Sequence, residues 1–374
     1  VQEVNARNMP TEIALLPFVE SAFVTHAKSS AKAMGLWQFM PATGKDFRLT
    51  QNVFRDERRD VVQSTDAALD YLQRLYKQFG SWDLALAAYN WGAGNITKAQ
   101  KRNAAAGLPT DYLSLTMPKE TRNYVPKLMA YRQIVLDPQA YGIVLPELEN
   151  HPYFIAVDVE NDIDVAVAIK LAEIPADEFH SLNPSFNKPV ILSNANQQIL
   201  LPFAHAEIFQ ENLKQYTKPL SSWTAVQITK TESVDQSAKT LGVDVDSLRE
   251  VNGIPRGMRI RAGSTVLIPK TNRRPGDVST AMAENASLSL EKPAPPAAKC
   301  PKPAKGAKDT KSTKCSPVST AKTTQKSGSK GNSSAKNAAS QHKSESTGLA
   351  KSAKNSSSVT SSNSSGNKGV NKSQ

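Results

Sequence analysis

The chain has 374 residues, with 46 Lys or Arg against 34 Asp or Glu, so its formal net charge is +12. The segment from Lys270 to the end holds 19 basic and 5 acidic residues, a net +14, which leaves −2 for residues 1–269. The basic character therefore belongs to a tail. It argues against a nucleic-acid-binding surface on the rest of the chain, and no nucleic acid is expected as a partner.

Other features exclude further classes. No apolar run approaches the roughly 20 residues that a membrane-spanning helix needs. Both cysteines, Cys300 and Cys315, lie in the tail, and neither is near a His at the spacing of a zinc site, so no metal is expected. The sequence opens at Val1 without a signal peptide, and its first residues already read as domain sequence. We therefore expect that an N-terminal segment with an export signal or membrane anchor is missing.

Residues 3–136 read as a mostly helical domain. Pro10 and Thr11 form a start signal for a first long helix. The apolar spacing after Asp60 is typical of a long amphipathic helix that ends at Gly80. Further helices are predicted at 82–89, followed by a loop at 90–95, and at 120–136. Four aromatic residues are expected in the core: Phe47, Tyr71, Tyr76 and Tyr131.

Glu20 lies on the apolar side of a predicted helix, since Ile13, Leu16 and Phe23 stand at helical spacing from it. Burial favours the neutral acid and raises the pKa of a carboxyl group, so this Glu can hold a proton near neutral pH and deliver it to a leaving group. The alternative is a structural Glu that pairs with an Arg or Lys elsewhere in the chain. The position alone leaves both interpretations open.

Three motifs follow one another in the helical domain. The first comprises Glu20-Ser21, Ala27-Lys28-Ser29 and Gly35-Leu36-Trp37-Gln38-Phe39-Met40-Pro41. The other two are Ala88-Tyr89-Asn90-Trp91-Gly92-Ala93-Gly94 and Glu120-Thr121-Arg122-Asn123-Tyr124-Val125-Pro126. Together they resemble the signature of the lysozyme-like lytic transglycosylases, the Slt family, and most closely its membrane-bound D type. Two departures from the family pattern are Lys32, where many relatives have Gly, and Trp37, where Met is common.

The resemblance implies an α-dominated, lysozyme-like catalytic domain over residues 1–145. It also implies cleavage of the β-1,4 bond between N-acetylmuramic acid and N-acetylglucosamine in peptidoglycan, with formation of a 1,6-anhydro sugar and without a cofactor. Glu20 would act first as the acid and then as the base. The substrate-binding residues implied in this way are Ser29 and Gln38, which would hydrogen-bond the sugar, and Tyr89, Asn90 and Tyr124, which would line the cleft. Without the resemblance, Tyr89 reads as a core ring and Asn90 as a turn residue.

Two alternatives to this function stay open. The first is a lysozyme-type hydrolase of the same bond, in which an Asp such as Asp46 or Asp56 positions a water molecule. The second is a wall-binding protein without activity, whose repeats hold the glycan. The presence of Glu20 and of all three motifs argues against the second.

An internal repeat follows the helical domain. With a shift of 69 residues, apolar positions of the two units coincide, and Asn183 aligns with Asn252. Each unit reads strand, helix, helix, strand. The later unit, residues 223–270, resembles a LysM module but has Thr231-Glu232 where that family usually has Gly-Asp. The earlier unit, residues 150–203, is a divergent LysM-like module.

Residues 275–374 consist largely of Ser, Lys, Ala, Asn, Thr and Pro, so this basic tail is expected to be disordered. The chain beyond Lys270 should then contribute nothing to the fold. The complete prediction is a multidomain protein: the lysozyme-like domain, one or two small βααβ LysM-like modules, and the tail. The family implies that peptidoglycan glycan strands are its partner and that it resides in the periplasm, at the outer membrane.

Overall fold

The computed structural model describes residues 1–147, 151–193, 198–271, 274 and 276–293. The chain divides into two compact units, Val1–Ala298 and Lys299–Gln374. The second unit lies outside the described residues, and so do the prediction of disorder for it and both cysteines. All that follows concerns the first unit.

The N-terminal part is helical, as the sequence predicts. None of the described helices is both long and apolar enough to cross a membrane. The helices are α1 (Gln2–Ala6), α2 (Leu16–Ser21), α3 (Pro41–Asp46), α4 (Val61–Phe79), α5 (Trp82–Trp91), α6 (Ala93–Ala105), α7 (Lys119–Arg122) and α8 (Tyr124–Leu136), with 3-10 turns at Thr11–Leu15 and Gln139–Tyr141.

Helix α4 has the ends that its sequence predicts. The carboxylate of Asp60 accepts hydrogen bonds from the backbone N–H groups of Val62 and Gln63, at 3.1 and 2.9 Å, and so satisfies two donors of the first turn. At the other end Gly80 adopts a left-handed conformation with φ of 69°. The apolar side of this helix, which includes Ala68, Leu69 and Leu72, packs into the domain core.

Three predicted elements, two helices and one loop, differ from the expectation. The predicted first long helix is a 3-10 turn followed by the short α2, which ends because Ala22 adopts a left-handed conformation. The loop expected at 90–95 is reduced to Gly92, which has φ of 95° and separates α5 from α6. The last helix is interrupted at Asn123. Pro126 has no N–H to bond the carbonyl of Arg122, and that carbonyl accepts from Tyr112 Oη instead, at 2.7 Å.

Two of the four aromatic residues expected in the core, Phe47 and Tyr71, pack against the main cluster. Tyr131 is only partly buried, and its ring stacks on Phe18, which is 37% exposed, with centroids 5.2 Å apart. The prediction for Tyr76 is wrong. It is 38% exposed, because its ring stacks on Trp82 at the surface, with centroids 4.4 Å apart.

The repeat units form two βααβ modules. In each module the first and last strands pair antiparallel, and two short strands form a second pair. The first module contains β1 (Phe154–Asp158), β2 (Ile163–Asp164), α9 (Val165–Ala172), α10 (Ala176–Leu182), β3 (Val190–Ile191) and β4 (Gln198–Pro202), and α11 (Phe203–Gln215) follows it. The second contains β5 (Trp223–Gln227), β6 (Glu232–Ser233), α12 (Val234–Leu241), α13 (Val245–Asn252), β7 (Arg259–Ile260) and β8 (Thr265–Pro269).

The aligned asparagines perform the same task in both modules. The amide nitrogen of Asn183 donates to the carbonyls of Phe179 and Leu200, and its amide oxygen accepts from Leu200 N at 2.7 Å. Asn252 makes the equivalent three bonds to Leu248 and Leu267. Both side chains are buried, so each amide must be fully satisfied where it lies. Each Asn therefore joins the second helix of its module to the closing strand.

The folded part of the chain extends beyond residue 275, where the sequence analysis predicts that the tail begins. Residues 276–293 pack on the modules, with helix α14 (Thr280–Asn285) and strand β9 (Leu290–Glu291), which pairs with β7. Val278, Ala283 and Ala286 are at most 5% exposed and belong to one apolar cluster. Composition did not predict this packing, because these few apolar side chains belong to a long segment whose average apolar content is low. The expectation that nothing beyond Lys270 contributes to the fold is therefore wrong.

A loop of the helical domain enters the same cluster. Phe54 is 3% exposed and packs with Val190, Leu267 and Val278, which come from both modules and the C-terminal segment. Its carbonyl accepts from Asn187 N at 2.7 Å. The helical domain and the two modules are thus joined by a shared apolar core as well as by the connecting chain.

Candidate active site

Glu20 lies near the end of α2, and its oxygen Oε1 accepts a hydrogen bond from the hydroxyl of Tyr124. Tyr124 is the first residue of α8 and is 3% exposed. Helices α2 and α8 contact each other, which brings the two residues together. Within the described residues no Lys, Arg or His forms an ion pair with Glu20. The interpretation of Glu20 as a structural ion-pair partner therefore has no support.

The surroundings of Glu20 favour its neutral form. Burial raises the pKa of Glu20 to about 7; the hydrogen bond from Tyr124 opposes this shift, and the nearby charge of Glu120 adds to it. Glu20 is thus divided between its protonated and ionised forms near neutral pH. Burial, and secondly the charge of Glu20, also raise the pKa of Tyr89 and Tyr124 well above the usual value, so both remain neutral hydroxyl donors.

Tyr89, on α5, fixes the backbone that faces it. Its hydroxyl donates to the carbonyl of Trp37 at 2.8 Å. Trp37 is buried, and its indole nitrogen donates to Thr65 Oγ1 on α4, at 2.9 Å. The sequence indicated that Tyr89 is either a core ring or a cleft residue, and it has both properties, since its ring packs on Tyr71 with centroids 5.3 Å apart.

Asn90 connects α5 to the third motif. Its amide oxygen accepts from Thr121 Oγ1 at 2.8 Å, and its amide nitrogen lies 3.5 Å from Glu120 Oε1. Glu120 itself is exposed. The site therefore holds a second carboxylate close enough to Glu20 to affect its pKa. The sequence analysis did not single out Glu120, although it quoted the residue within the third motif.

Ser29 and Gln38 lie within residues 27–39, which we call the substrate loop after the binding role that the sequence predicts for these two residues. Ser29 Oγ accepts from Ala33 N at 3.0 Å, which leaves its hydroxyl proton available. The amide nitrogen of Gln38 donates to the carbonyls of Gly35 and Ala27, at 2.9 and 3.4 Å, and these two bonds do not use its amide oxygen. Lys32 has φ of 71°, a conformation that favours glycine, and it stands where many relatives have Gly.

A cleft of about 220 Å³ lies between the end of the substrate loop and α5. Gln38, Tyr89 and Asn90 line it, so the structure brings three of the predicted binding residues together. Ser29, Tyr124 and Glu20 are not part of its lining, and the prediction that Tyr124 lines the cleft is wrong because its side chain is buried against Glu20. Thr43 and Tyr71 also line the cleft and were not predicted as site residues. For Tyr71 no sequence signal could have distinguished core from cleft, since its ring also packs against the core.

The two carboxylates suggested for a hydrolase differ in their surroundings. Asp56 is 9% exposed, and both of its oxygens accept from Arg58, at 2.9 and 2.6 Å, so its assignment as the residue that positions water is wrong. Asp46 is exposed at the end of α3. Within the described residues no group of three or more His, Cys, Asp or Glu is arranged to hold a metal ion.

We expect Glu120→Gln to shift the pH dependence of turnover. Glu20 has to be protonated to act as an acid, so activity should fall as the pH rises through the pKa of Glu20, which is about 7. Removal of the Glu120 charge lowers that pKa, so the decline should begin at a lower pH. The pH profile of kcat/KM measures this shift. Glu207→Gln, an equal charge change at an exposed position of α11, should leave the profile unchanged.

Comparisons with known proteins identify two domains in this chain. Residues 2–108 match the family model described as "Transglycosylase SLT domain", and residues 153–218 match "Lytic transglycosylase MltD, LysM-like domain". The chain therefore carries an SLT domain followed by a LysM-like domain of the MltD kind, and the two domain types and the fold class expected from the sequence are confirmed.

One relative is the membrane-bound lytic murein transglycosylase D of Escherichia coli strain K12, which is 36% identical over 279 residues. The match covers 71% of this chain and 61% of the length of that relative. The soluble lytic murein transglycosylase of the same strain is 32% identical over 118 residues, or 30% of this chain and 18% of that protein. The crystal structure of the 70 kDa soluble lytic transglycosylase from Escherichia coli matches 33% of this chain and 21% of that one, with 28% identity and a TM-score of 0.26.

Proposed function

We propose that this protein is a peptidoglycan lytic transglycosylase, which cleaves the β-1,4 bond between N-acetylmuramic acid and N-acetylglucosamine. The observation that carries the proposal is the state of Glu20: a carboxyl group with no basic partner among the described residues, a hydrogen bond from Tyr124, and a pKa raised to about 7 by burial. Such a group can donate a proton and later remove one at the same pH. Both Escherichia coli relatives are described as lytic murein transglycosylases, which supports the same reaction.

In the proposed reaction Glu20 donates its proton to the glycosidic oxygen as the bond to C1 of the muramoyl residue breaks. The acetamido oxygen of that residue stabilises the cation that develops at C1. Glu20, now ionised, accepts the proton of the C6 hydroxyl, whose oxygen forms the new bond to C1. The products are a 1,6-anhydro sugar and a free N-acetylglucosamine end, and no water is consumed.

The remaining predicted residues would bind and orient the glycan. The Gln38 amide oxygen, left free by the bond to Gly35, suits an acetamido N–H, and the Ser29 hydroxyl proton suits a sugar oxygen. Tyr124 holds the Glu20 carboxyl in one orientation, while Tyr89 and Asn90 border the cleft. None of these roles, neither hydrogen bonding to the sugar nor orienting Glu20 nor bordering the cleft, requires a metal or a cofactor.

Glycan strands of peptidoglycan are the proposed partner, bound by the SLT domain and by the two modules. Thr231-Glu232, in place of Gly-Asp, makes weak binding by the second module the expected result. In that module Glu232 Oε1 accepts from Ser237 Oγ at 2.7 Å, so this carboxylate is already engaged within the module. We propose the periplasm, at the outer membrane, as the location of the protein. The relative with 36% identity is described as membrane-bound, which supports a location in the cell envelope.

Mass spectrometry of digested glycan tests the reaction. Purified peptidoglycan strands treated with the full chain should yield fragments that end in 1,6-anhydro-N-acetylmuramic acid, lighter by one water than the reducing ends made in parallel by a hydrolytic lysozyme. Reducing ends alone would identify a hydrolase, with Glu120 rather than Asp56 as the second carboxylate to test. The absence of any fragments would mean that the chain binds the wall without cutting it.

A further inference from the structure

The substrate loop is held in a strained backbone conformation. Lys32 and Gln38 have φ of 71° and 48°, in the left-handed region that side chains other than glycine rarely adopt. Residues in such conformations persist only where the surrounding structure fixes them. Side chains from outside the loop bind its carbonyls: Ser21 Oγ donates to Leu36 at 3.0 Å, Tyr89 Oη to Trp37 at 2.8 Å, and Arg58 to two further carbonyls.

Arg58 is the side chain that binds the substrate loop at two separate carbonyls. Its Nη1 donates to the carbonyl of Lys32 at 2.9 Å and to that of Phe39 at 3.3 Å, so one guanidinium holds the strained part of the loop at both ends. The two backbones also meet directly, since a Cβ atom added at Gly35 would lie 2.0 Å from the carbonyl oxygen of Arg58. Arg58 is 6% exposed, so water cannot easily replace these bonds.

Asp56 holds Arg58 in this position. Its two carboxylate oxygens accept from Nε and Nη2 of Arg58, at 2.9 and 2.6 Å, in a bidentate arrangement that fixes the plane of the guanidinium. Because both side chains are buried, the loss of either partner would leave a charge without compensation. The position of the substrate loop thus depends on where residues 56–58 lie.

The LysM-like domain contributes several of the hydrogen bonds that hold this segment. The backbone N–H of Asp56 donates to the carbonyl of Ser185 at 2.9 Å. The Asn187 amide nitrogen donates to the carbonyl of Asn52 at 3.1 Å, and its amide oxygen accepts from Arg59. Residues 52–59 are therefore fixed by the first module on one side, and they fix the substrate loop on the other.

We propose that Arg58, oriented by Asp56, is a positioning residue through which contact with the LysM-like domain sets the geometry of the substrate loop. This inference rests on the proposed function of that loop, which carries Ser29 and Gln38. The first module then has a role in turnover of short, soluble glycans, to which tethering on the cell wall contributes nothing. It would act as part of the catalytic unit and not only as a wall-binding appendage.

The test compares Asn187→Ala with Asn212→Ala in the full chain. Asn212 lies in the same domain and also makes two side-chain hydrogen bonds, but both go to residues of its own module, Leu171 and Glu173. Two measurements are made: amide hydrogen exchange of residues 29–39, and kcat and KM on a soluble peptidoglycan fragment. We expect Asn187→Ala to speed exchange in the loop and to raise KM about threefold or more, whereas Asn212→Ala changes neither.

Arg58→Lys supplies a second variant, because an ammonium group keeps the charge but cannot reproduce the bidentate bond. We expect KM to rise roughly tenfold, with kcat little changed. A purely structural loss would behave differently, since fewer folded molecules lower kcat and leave KM unchanged. If Arg58→Lys fails to fold, the comparison of Asn187→Ala with Asn212→Ala is sufficient to test the proposal.

The results separate the possible errors. If Asn187→Ala and Asn212→Ala show the same hydrogen exchange in the loop and the same KM, the LysM-like domain does not set the geometry of the substrate loop, and the proposal is wrong. A wild-type chain that does not cut glycan would overturn the proposed function instead, while the exchange measurement would still report on the coupling.

Discussion

Glu20→Gln should lower turnover of peptidoglycan glycan at least ~100-fold, the contribution that a general acid commonly makes. Gln keeps the shape of the side chain and can still accept the hydrogen bond from Tyr124, but it has no proton to transfer. Binding of the glycan should survive. Retention of more than about a tenth of wild-type turnover would mean that another residue is the acid.

The same variant should be more stable than the wild type at high pH. The pKa of Glu20 is about 7 in the folded protein, against an ordinary value of 4.5. Because the folded pKa is raised, the contribution of Glu20 to stability is fully present below about pH 4.5 and is lost as the pH rises through 7. Gln does not ionise and avoids this loss, which amounts to at most about 3 kcal/mol. Thermal melts at pH 4 and pH 8 should show equal stability at the lower pH and a higher Tm for the variant at the higher one.

Glu207→Gln serves as the control, since Glu207 is exposed and lies on α11, outside the site. It should change neither turnover nor the pH dependence of the Tm. Equal melting of Glu20→Gln and the wild type at both pH values would contradict the burial assigned to this carboxyl group, whatever the outcome of the activity assay.

Truncation of the chain after Lys270 should lower the Tm of the protein. This truncation removes Val278, Ala283 and Ala286 and exposes Phe54, which packs with them. The buried aliphatic side chains alone correspond to about 3 kcal/mol of lost burial. We therefore expect a clear drop in Tm, contrary to the expectation from composition.

Truncation after Pro293 is the matched control, because it keeps α14 and β9 and removes only residues beyond the described part of the chain. This shorter protein should melt at the temperature of the full chain. Calorimetry of the three proteins side by side provides the comparison. If truncation after Lys270 also melted like the full chain, the packing of residues 276–293 would make no contribution to stability.

Local patterns in the sequence predicted those features that depend on neighbouring residues. Helix α4 was predicted from its N-terminal Asp60 and its C-terminal Gly80, both of which act within one turn of the helix. The βααβ modules were predicted from a repeat in which Asn183 and Asn252 make the same bonds. The burial and raised pKa of Glu20 were also predicted, although only part of the argument holds: Leu16 is buried, but Phe23 is 43% exposed and lies beyond the end of the helix.

Features that depend on distant residues could not be predicted in this way. Glu20 owes its burial and its hydrogen bond to Tyr124, which is 104 residues away. Asp56 and Arg58 sit in a stretch without regular periodicity, and only the three-dimensional structure shows that they support the substrate loop. The short apolar stretch around Val278 was missed because composition was averaged over a long tail.

The burial of Phe54 also bears on the order in which the chain folds. The side chains that cover Phe54 come from segments that follow it by well over a hundred residues, and the neighbouring Asn52 bonds the carbonyl of Ala283, 231 residues further along the chain. During synthesis the SLT domain emerges first, with this aromatic ring still uncovered. Contacts of such large sequence separation form slowly, and an exposed ring promotes aggregation in the meantime. The last step of folding is therefore expected to be the closure of the C-terminal segment over a loop made near the beginning.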